Sequence, residues 1–325
     1  MPPAEEPLAE YESLRRECGL AECAGRTLIE VRGADRASWL HNLATNNIRD
    51  LAANRGLETF FTQVQGKIVG HGLVLHEGER LVVDTVPGQA ERLLRHLEKY
   101  HITEQVELRD RTAEWGELLL AGADTPERLK AWCSQELPSE RLMGISFGSA
   151  EDPLWLWRFG ELGAESFLLR GPREAIAAAR EELTKLGVRP CSAEAVEMLR
   201  IEQGWPLYGI DISEANLPQE VARDAAAISF TSGCYLGQET VARIDALGHV
   251  NRTLVGIALE GSEIPPAGTE FSQSGKVVGA VTSAAWSPKL EKPLALAYVR
   301  RGSNTPGVEL DSAFGAGRVV RLPVE

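Results

Sequence analysis

The chain has 325 residues, of which 43% are hydrophobic and 25% charged, a composition typical of a globular protein with two or three domains. Its formal net charge is −13, so we expect no direct nucleic-acid binding driven by attraction to phosphates. The acidic N-terminus does not resemble a signal peptide, and no apolar run approaches the ~18 residues of a membrane span, which predicts a cytoplasmic protein without membrane contact.

The first third of the chain alternates predicted strands and helices. The run RTLIEVRG is typical of a strand, and ADRASWLHNLATNNI places its apolar residues on one helical face. Three strands are predicted within LETFFTQVQGKIVGHGLVLHEGERLVVDTV, with turns at Gly66-Lys67 and Glu77-Gly78. An amphipathic helix, PGQAERLLRHLEKYH, and a strand, QVELRD, complete this first pass.

A second pass of the same kind follows. WGELLLAG predicts a strand, and TPERLKAWCS predicts a helix with Thr125 as N-cap and Pro126 as its first residue. LWLWRFG and ESFLLRG are typical of a hairpin, and PREAIAAAREELTKLG predicts a helix that starts at Pro172 and ends at Gly187. The two passes together indicate a pair of split α+β units.

The residues after His249 have a different character. Runs such as RTLVGIALEG, KVVGAVTSAAW and PLALAYVRR predict short strands joined by Gly/Pro turns, without helices between them. They predict an all-β barrel or sandwich of ~75 residues at the C-terminus.

A linking region, residues 190–248, lies between the second unit and the all-β tail. Its first helix is predicted over SAEAVEMLRIEQG, with Ser192 as N-cap and Glu194 complementing the dipole in the first turn. Ala195 stands where a capping box needs Glu or Gln, so that motif is absent. Gly204 and the nearby Pro206 are expected to end the helix.

The cysteines predict neither a metal site nor a disulfide framework. No two of them form a CxxC pair, and no Cys/His cluster has the spacing of a zinc site. We interpret them as scattered reduced thiols. They are Cys18, Cys23, Cys133, Cys191 and Cys234.

The stretch TSGCYLGQETVAR is the densest set of special residues in the chain. Gly233 and Gly237 bracket Cys234, and a helical pattern begins at Gln238, so the cysteine is expected just before a helix N-terminus. The positive end of the helix dipole favours a thiolate there. The alternative is a buried cysteine in a turn, with Gln238 and Glu239 serving only to complement the dipole.

This stretch resembles the signature of folate-binding proteins that assist iron–sulfur cluster assembly and repair, often called the YgfZ family, which are related to the glycine-cleavage T-protein. The family pattern is Lys-Gly-Cys-aromatic-x-Gly-Gln-Glu followed by an arginine, here Arg243, and Ser232 replaces the lysine. Three further runs are similar to superfamily segments: LRIEQGWPLYGIDI, LPQEV, and GADRASWLHNLATNNIRDL with its Thr-Asn pair.

The resemblance implies an α+β fold of three domains in a ring around a central channel that holds tetrahydrofolate. In this arrangement the folate-binding α+β domain comprises residues 1–112 with 190–248. The second α+β domain comprises residues 113–189, and residues 249–325 form the C-terminal barrel.

The resemblance also implies which residues act. Cys234 would be the functional thiol, with Gln238, Glu239 and Arg243 beside it in the motif. Glu202 matches the family position that binds the pterin, since a carboxylate accepts paired N–H bonds from an amino-pyrimidine edge. The alternative for Glu202 is a surface glutamate paired with a nearby cation.

Further folate contacts are implied at Arg200, Lys67, Tyr235 and Asn46. Arg200 and Glu202 are separated by two positions on a helix and are expected to face different directions. Lys67 would attract the glutamate tail of the folate, and a solvated lysine in a hairpin turn is the alternative.

The favoured function is therefore a tetrahydrofolate-binding accessory protein that supports iron–sulfur enzymes, including tRNA-modifying ones, with client or assembly proteins as partners. The main alternative is a folate-dependent aminomethyltransferase. The Asn-Ala-x-Asn segment and aspartate of that enzyme are missing from LVVDTVPGQAERL, where only Glu91 lies near the aspartate position, so we expect no transferase activity. A Cys/His hydrolase has no supporting spacing.

Overall fold

A computed structural model describes residues 3–324 and confirms a mixed α+β architecture with a C-terminal β-barrel. The helices are α1 (Glu5–Arg16), α2 (Arg36–His41), α3 (Ala90–Glu98), α4 (Thr125–Cys133), α5 (Arg173–Lys185), α6 (Ala193–Gln203), a 3-10 helix (Pro218–Val221), α7 (Asp224–Ala227) and α8 (Gln238–Leu247). Among residues 3–324, no helix is both long and apolar enough to cross a membrane.

The strands are β1 (Gly19–Glu22), β2 (Thr27–Arg32), β3 (Gly56–Thr62), β4 (Ile68–Glu77), β5 (Arg80–Thr85), β6 (Glu107–Asp110), β7 (Trp115–Ala121), β8 (Gly144–Phe147), β9 (Leu154–Arg158), β10 (Ser166–Pro172), β11 (Arg189–Pro190), β12 (Arg252–Leu259), β13 (Glu270–Gln273), β14 (Lys276–Ser287), β15 (Lys292–Arg300), β16 (Glu309–Ser312) and β17 (Gly315–Val320).

The first sheet has the strand order β3-β4-β5-β2-β6, with antiparallel pairing throughout. Apolar side chains such as Ile29 and Val83 meet Trp39 of α2 and Leu93 of α3 in one core. The α2 helix is shorter than the sequence predicts. The chain leaves the helix after His41, and the Thr45 N–H donates to the Phe60 carbonyl of β3 at 3.0 Å instead.

The second sheet has the order β11-β1-β7-β10-β9-β8. Helices α4 and α5 cover one face of it, where Leu129 and Leu183 pack against Leu118 and Phe167. The α4 helix begins at Thr125 with Asp124 as its N-cap, one residue earlier than predicted.

Two elements of this sheet region were not predicted. Strand β1 has only four residues, too few to show a period, and it pairs with β7 rather than with strands of the first sheet. Helix α1 carries a polar sequence, yet Tyr11 and Leu14 are buried in the core that it shares with α6. The residue boundaries of the three domains stay a prediction.

The tail closes into a barrel with the order β12-β15-β14-β13-β16-β17. Its core contains Ile257, Phe271 and Leu310, which point inward from different strands. Helix α6 of the linking region packs between α1 and the barrel strands β14 and β15. Buried residues of α6 share one core with Leu75 of the first sheet and Leu119 of the second.

Candidate functional site

A cavity of about 340 Å³ lies between the two sheets and α6, and we call it the inter-sheet cavity. Its walls come from β1, β7, the end of β5, the β9–β10 connection and α6. The lining residues are Ala21, Glu22, Cys23, Ala24, Arg26, Val86, Pro87, Leu119, Phe159, Leu162, Leu168, Cys191, Ala193, Val196, Glu197, Arg200, Trp205 and Leu207. Most are apolar, and the charged groups among them are Glu22, Arg26, Glu197 and Arg200. In small-molecule sites a few polar groups of this kind fix the orientation of the ligand.

Helix α6 presents one face to this cavity. Its N-cap is Ser192, as predicted, whose hydroxyl accepts from the Ala195 N–H at 3.4 Å. It ends at Gly204, where a φ of 71° favours glycine. Because a helix repeats every 3.6 residues, Glu197 and Arg200 lie on the same face, three positions apart.

Arg200 holds Glu197 in a fixed position. Its Nε and Nη2 donate to the two Glu197 carboxylate oxygens at 2.7 and 2.6 Å. Its Nη1 donates to Asp211 at 2.8 Å and to the Trp205 carbonyl at 2.6 Å. The side chain of Glu197 is 37% exposed, so the cavity contains a pre-positioned carboxylate that still has lone pairs for a ligand.

The indole of Trp205 forms part of the apolar wall and is held by two neighbouring side chains. The Arg223 guanidinium lies over the ring at 4.8 Å, and Phe159 meets it edge-on at 5.3 Å. Arg223 Nε in turn donates to the buried Glu58 at 2.9 Å, as does His71 Nε2 at 2.8 Å. Burial opposes ionisation of Glu58, but the hydrogen bonds from His71 and Arg223 prevail and lower its pKa to about 2.

The thiols that line the cavity are not activated. Burial raises the pKa of Cys23 above its ordinary value, and the nearby Glu117 raises it further. Burial also raises the pKa of Cys191 to about 11. Both thiols are therefore protonated near neutral pH and contribute polarisable wall surface rather than a nucleophile.

Glu202, predicted as a pterin contact, is buried and does not line the inter-sheet cavity. Its side chain is 1% exposed, on the α6 face opposite Glu197. It accepts hydrogen bonds from the Tyr11 hydroxyl, from Ser287 Oγ at 2.5 Å and from the Lys289 N–H at 3.1 Å. These contacts join α1, α6 and the barrel, so Glu202 is a structural link in this fold, and a ligand-binding role for it stays a prediction.

Of the other predicted folate contacts, one lines the inter-sheet cavity and the rest do not. Arg200 lines the cavity, although its donors are used by Glu197 and Asp211. Lys67 lies outside it, is half-buried and donates to the Ala215 carbonyl at 2.6 Å, and its role as a folate contact stays a prediction. Asn46 Nδ2 donates to the carbonyls of Glu58 and Ala226, both at 2.9 Å. It therefore connects the segment after α2 to β3 and α7.

Tyr235 is also a core residue rather than a lining residue. It is buried against Phe60, Ile68 and Tyr208, and this burial raises the pKa of its hydroxyl to about 12. The aromatic position of the cysteine motif thus anchors the loop to the first sheet.

Cys234 itself is exposed, which contradicts the alternative of a buried cysteine. Gln238 Nε2 donates to the Gly233 carbonyl at 2.8 Å and holds the loop over the start of α8. The N-cap of α8 is Gly237, three residues after the cysteine. Glu239 and Arg243 are exposed on α8, and within residues 3–324 Arg243 forms no salt bridge.

The histidine near this loop is His41, which the sequence did not single out. Its Nε2 lies 2.8 Å from the Ser232 carbonyl oxygen, while His249 lies beyond the other end of α8. In the part of the chain that the structure describes, no group of three or more His, Cys, Asp or Glu residues could hold a metal ion. None of the motif residues lines the inter-sheet cavity.

Sequence reasoning missed Glu197 as the cavity carboxylate. The available signal was the Glu-x-x-Arg spacing in AVEMLRIEQG, which puts Glu197 and Arg200 on one helix face. It also expected Glu91 near the position of a catalytic aspartate. Glu91 is instead exposed to solvent and paired with Arg95 of its own helix.

Two family profiles match the chain. One, described as the GCVT N-terminal domain, matches residues 4–228, and the other, described as the glycine cleavage T-protein C-terminal barrel domain, matches residues 252–324. Curated relatives named aminomethyltransferase include one from Streptomyces avermitilis, 28% identical over 97% of this chain and 88% of its own length. Another, from Halothermothrix orenii, is 27% identical over 97% of this chain and 90% of its own length.

A solved structure has a similar fold. The glycine cleavage system aminomethyltransferase T from Bartonella henselae aligns with a TM-score of 0.88 and 21% identity, covering 98% of this chain and 89% of its own. At that identity the likeness shows the fold alone.

Proposed function

The chain belongs to the glycine cleavage T-protein family, and from that premise we propose that its inter-sheet cavity binds tetrahydrofolate. Tetrahydrofolate is the cofactor of this family, in agreement with the cofactor expected from the sequence. The observation that carries the proposal is the Glu197 carboxylate, fixed by Arg200 in a cavity with mostly apolar walls.

The residues present fit a reduced folate. A pterin is flat and carries N–H donors on its amino-pyrimidine edge. Arg200 already bonds both oxygens of Glu197, so the carboxylate accepts one of these donors through a remaining lone pair. Trp205 and Phe159 supply aromatic surface for the ring, and a cavity of about 340 Å³ lies within the range of small-ligand sites. Glu197 would orient the pterin, and the apolar walls would exclude water from it.

We place aminomethyl transfer first among the candidate activities, because the named relatives favour it. The sequence alone favoured the accessory function, with transfer as the alternative. Since Glu91 faces solvent, transfer in this chain would depend on acids that line the cavity, namely Glu22 and Glu197.

The second candidate is the accessory function in iron–sulfur cluster assembly or repair of the YgfZ family. The observation that favours it is the exposure of Cys234 on a loop outside the cavity, where a thiol can meet a partner protein. A single cysteine cannot hold a cluster alone, because clusters usually take four protein ligands. Transient contact with a client or assembly protein is the form this function would take.

A coupled assay separates the two candidates. Purified protein is given tetrahydrofolate and a lipoyl-bound aminomethyl donor, and methylene-tetrahydrofolate is measured for the unmodified chain and for Cys234→Ala. Turnover that the alanine variant retains supports aminomethyl transfer. Folate binding without turnover, together with failure of Cys234→Ala to restore iron–sulfur enzymes in cells lacking the protein, supports the accessory function.

A further inference from the structure

Arg26 differs from Arg200, the other cation that lines the inter-sheet cavity, because part of its hydrogen-bonding capacity is unused. It lies in the turn between β1 and β2, and its side chain is 20% exposed. Its Nε donates to Asp84 at 2.6 Å and lies 3.1 Å from Glu117. Among residues 3–324, no acceptor bonds either of its terminal amino groups, and Arg26 is one of the residues that line the inter-sheet cavity.

Asp84 and Glu117 form a buried acid pair behind Arg26. Asp84 on β5 is 0% exposed and Glu117 on β7 is 2% exposed. Neither oxygen of Glu117 accepts a hydrogen bond from a described residue, nor does Asp84 Oδ2. Burial and the neighbouring Asp84 carboxylate raise the pKa of Glu117 to about 8.

The groups that face Glu117 from every side leave one proton on the pair. Arg26 approaches from the turn, the neutral Cys23 thiol from β1, and Arg170 from β10. Arg170 is already bound to Glu77 and is 3.8 Å from Asp84, so it gives Glu117 no hydrogen bond. Two adjacent buried carboxyls that share one guanidinium do not both ionise near neutral pH.

We propose that Arg26 binds a carboxylate of the ligand in the inter-sheet cavity, and that a proton shared by Asp84 and Glu117 keeps this contact attractive. With the proton in place, the single negative charge of the acid pair balances the positive charge of Arg26. The free amino groups of Arg26 then form a planar fork that can bind an anion. Without it, the same three side chains carry a net negative charge and repel the anion. The inference rests on the proposed folate function, because it assigns the carboxylates of the glutamate tail to Arg26.

The test compares two ligands and two pH values. Binding of 5-formyltetrahydrofolate, a stable reduced folate, and of 6-methyltetrahydropterin, which lacks the glutamate tail, is measured by calorimetry at pH 7 and pH 9. We expect Arg26→Gln to weaken folate binding about tenfold or more and to change pterin binding less than threefold. Arg26→Lys keeps the charge without the planar fork and should give an intermediate loss.

The pH profile tests the shared proton. Folate affinity of the unmodified protein should fall severalfold between pH 7 and pH 9, because the pair loses its proton in that window. Glu117→Gln mimics the protonated acid, so its folate affinity should be the same at both pH values. If Glu117 is only structural, the folate affinity of Glu117→Gln falls between pH 7 and pH 9 as much as that of the unmodified protein. That result would overturn the proposal.

The outcomes separate the inference from the function it rests on. If the unmodified protein binds neither ligand, the proposed function itself fails. If it binds folate and both Arg26 variants bind equally well, the function stands and the role of Arg26 is refuted. Arg26→Gln leaves Asp84 unpaired, so if that variant does not fold, Arg26→Lys and Glu117→Gln decide the question.

Discussion

Replacing Glu197 with glutamine should weaken binding of a reduced folate about tenfold to a hundredfold. Glutamine keeps the shape of the side chain but changes one carboxylate oxygen into an N–H donor that cannot accept from the pterin. The loss of one charge-assisted hydrogen bond costs about 1.5–3 kcal/mol, and each 1.4 kcal/mol is a factor of ten in affinity. Calorimetry with 5-formyltetrahydrofolate measures this directly.

Glu202→Gln is the matched control, since both residues lie on α6. Glu202 contacts Tyr11, Ser287 and Lys289 rather than the cavity, so its variant should lower the midpoint of thermal unfolding while changing folate affinity less than threefold. The opposite pattern, with affinity lost in Glu202→Gln and kept in Glu197→Gln, would refute the assignment of the cavity carboxylate.

Two further predictions concern stability and reactivity. Because the pKa of Glu58 is lowered to about 2 from 4.5, its ionised form stabilises the fold above pH 4.5, and this contribution of about 3 kcal/mol is lost as the pH falls from 4.5 to 2. The free energy of unfolding in urea should therefore fall less steeply between pH 4.5 and pH 2 for Glu58→Gln than for the unmodified protein. Equal slopes for the two proteins would exclude this role. Cys234 is exposed whereas Cys18 is buried, so alkylation of the folded protein at neutral pH should modify Cys234 first. Mass spectrometry that finds Cys18 modified before Cys234 would contradict the loop geometry.

Much of the fold was predictable because its elements are periodic. The β3–β5 meander, the long α5 helix and the barrel strands all carry strong alternation or turn residues, and each is present. Strand β1 and the two-residue β11 are too short to carry a period. Strand β11 pairs with β1, which lies far from it in the chain, and β1 pairs in turn with β7.

The site was predictable only in part, because the sequence does not show which side chains of a helix face the cavity. The motif around Cys234 was correctly expected to be a glycine-bracketed loop before a helix, and the thiol is exposed as expected of a site. Glu202 and Glu197 both lie on the predicted helix, and only the packing of α6 against α1 and the barrel shows which carboxylate faces the cavity. The acid pair Asp84–Glu117 joins two different sheets, and no local pattern brings those residues together.

The central claim is that the inter-sheet cavity is a folate site, and a crystal structure of the protein grown with 5-formyltetrahydrofolate tests it most directly. We predict density for the pterin between α6 and the two sheets, with its amino-pyrimidine edge within hydrogen-bonding distance of the Glu197 carboxylate. Ligand density beside Glu202 or at the Cys234 loop, with the cavity left empty, would contradict the account.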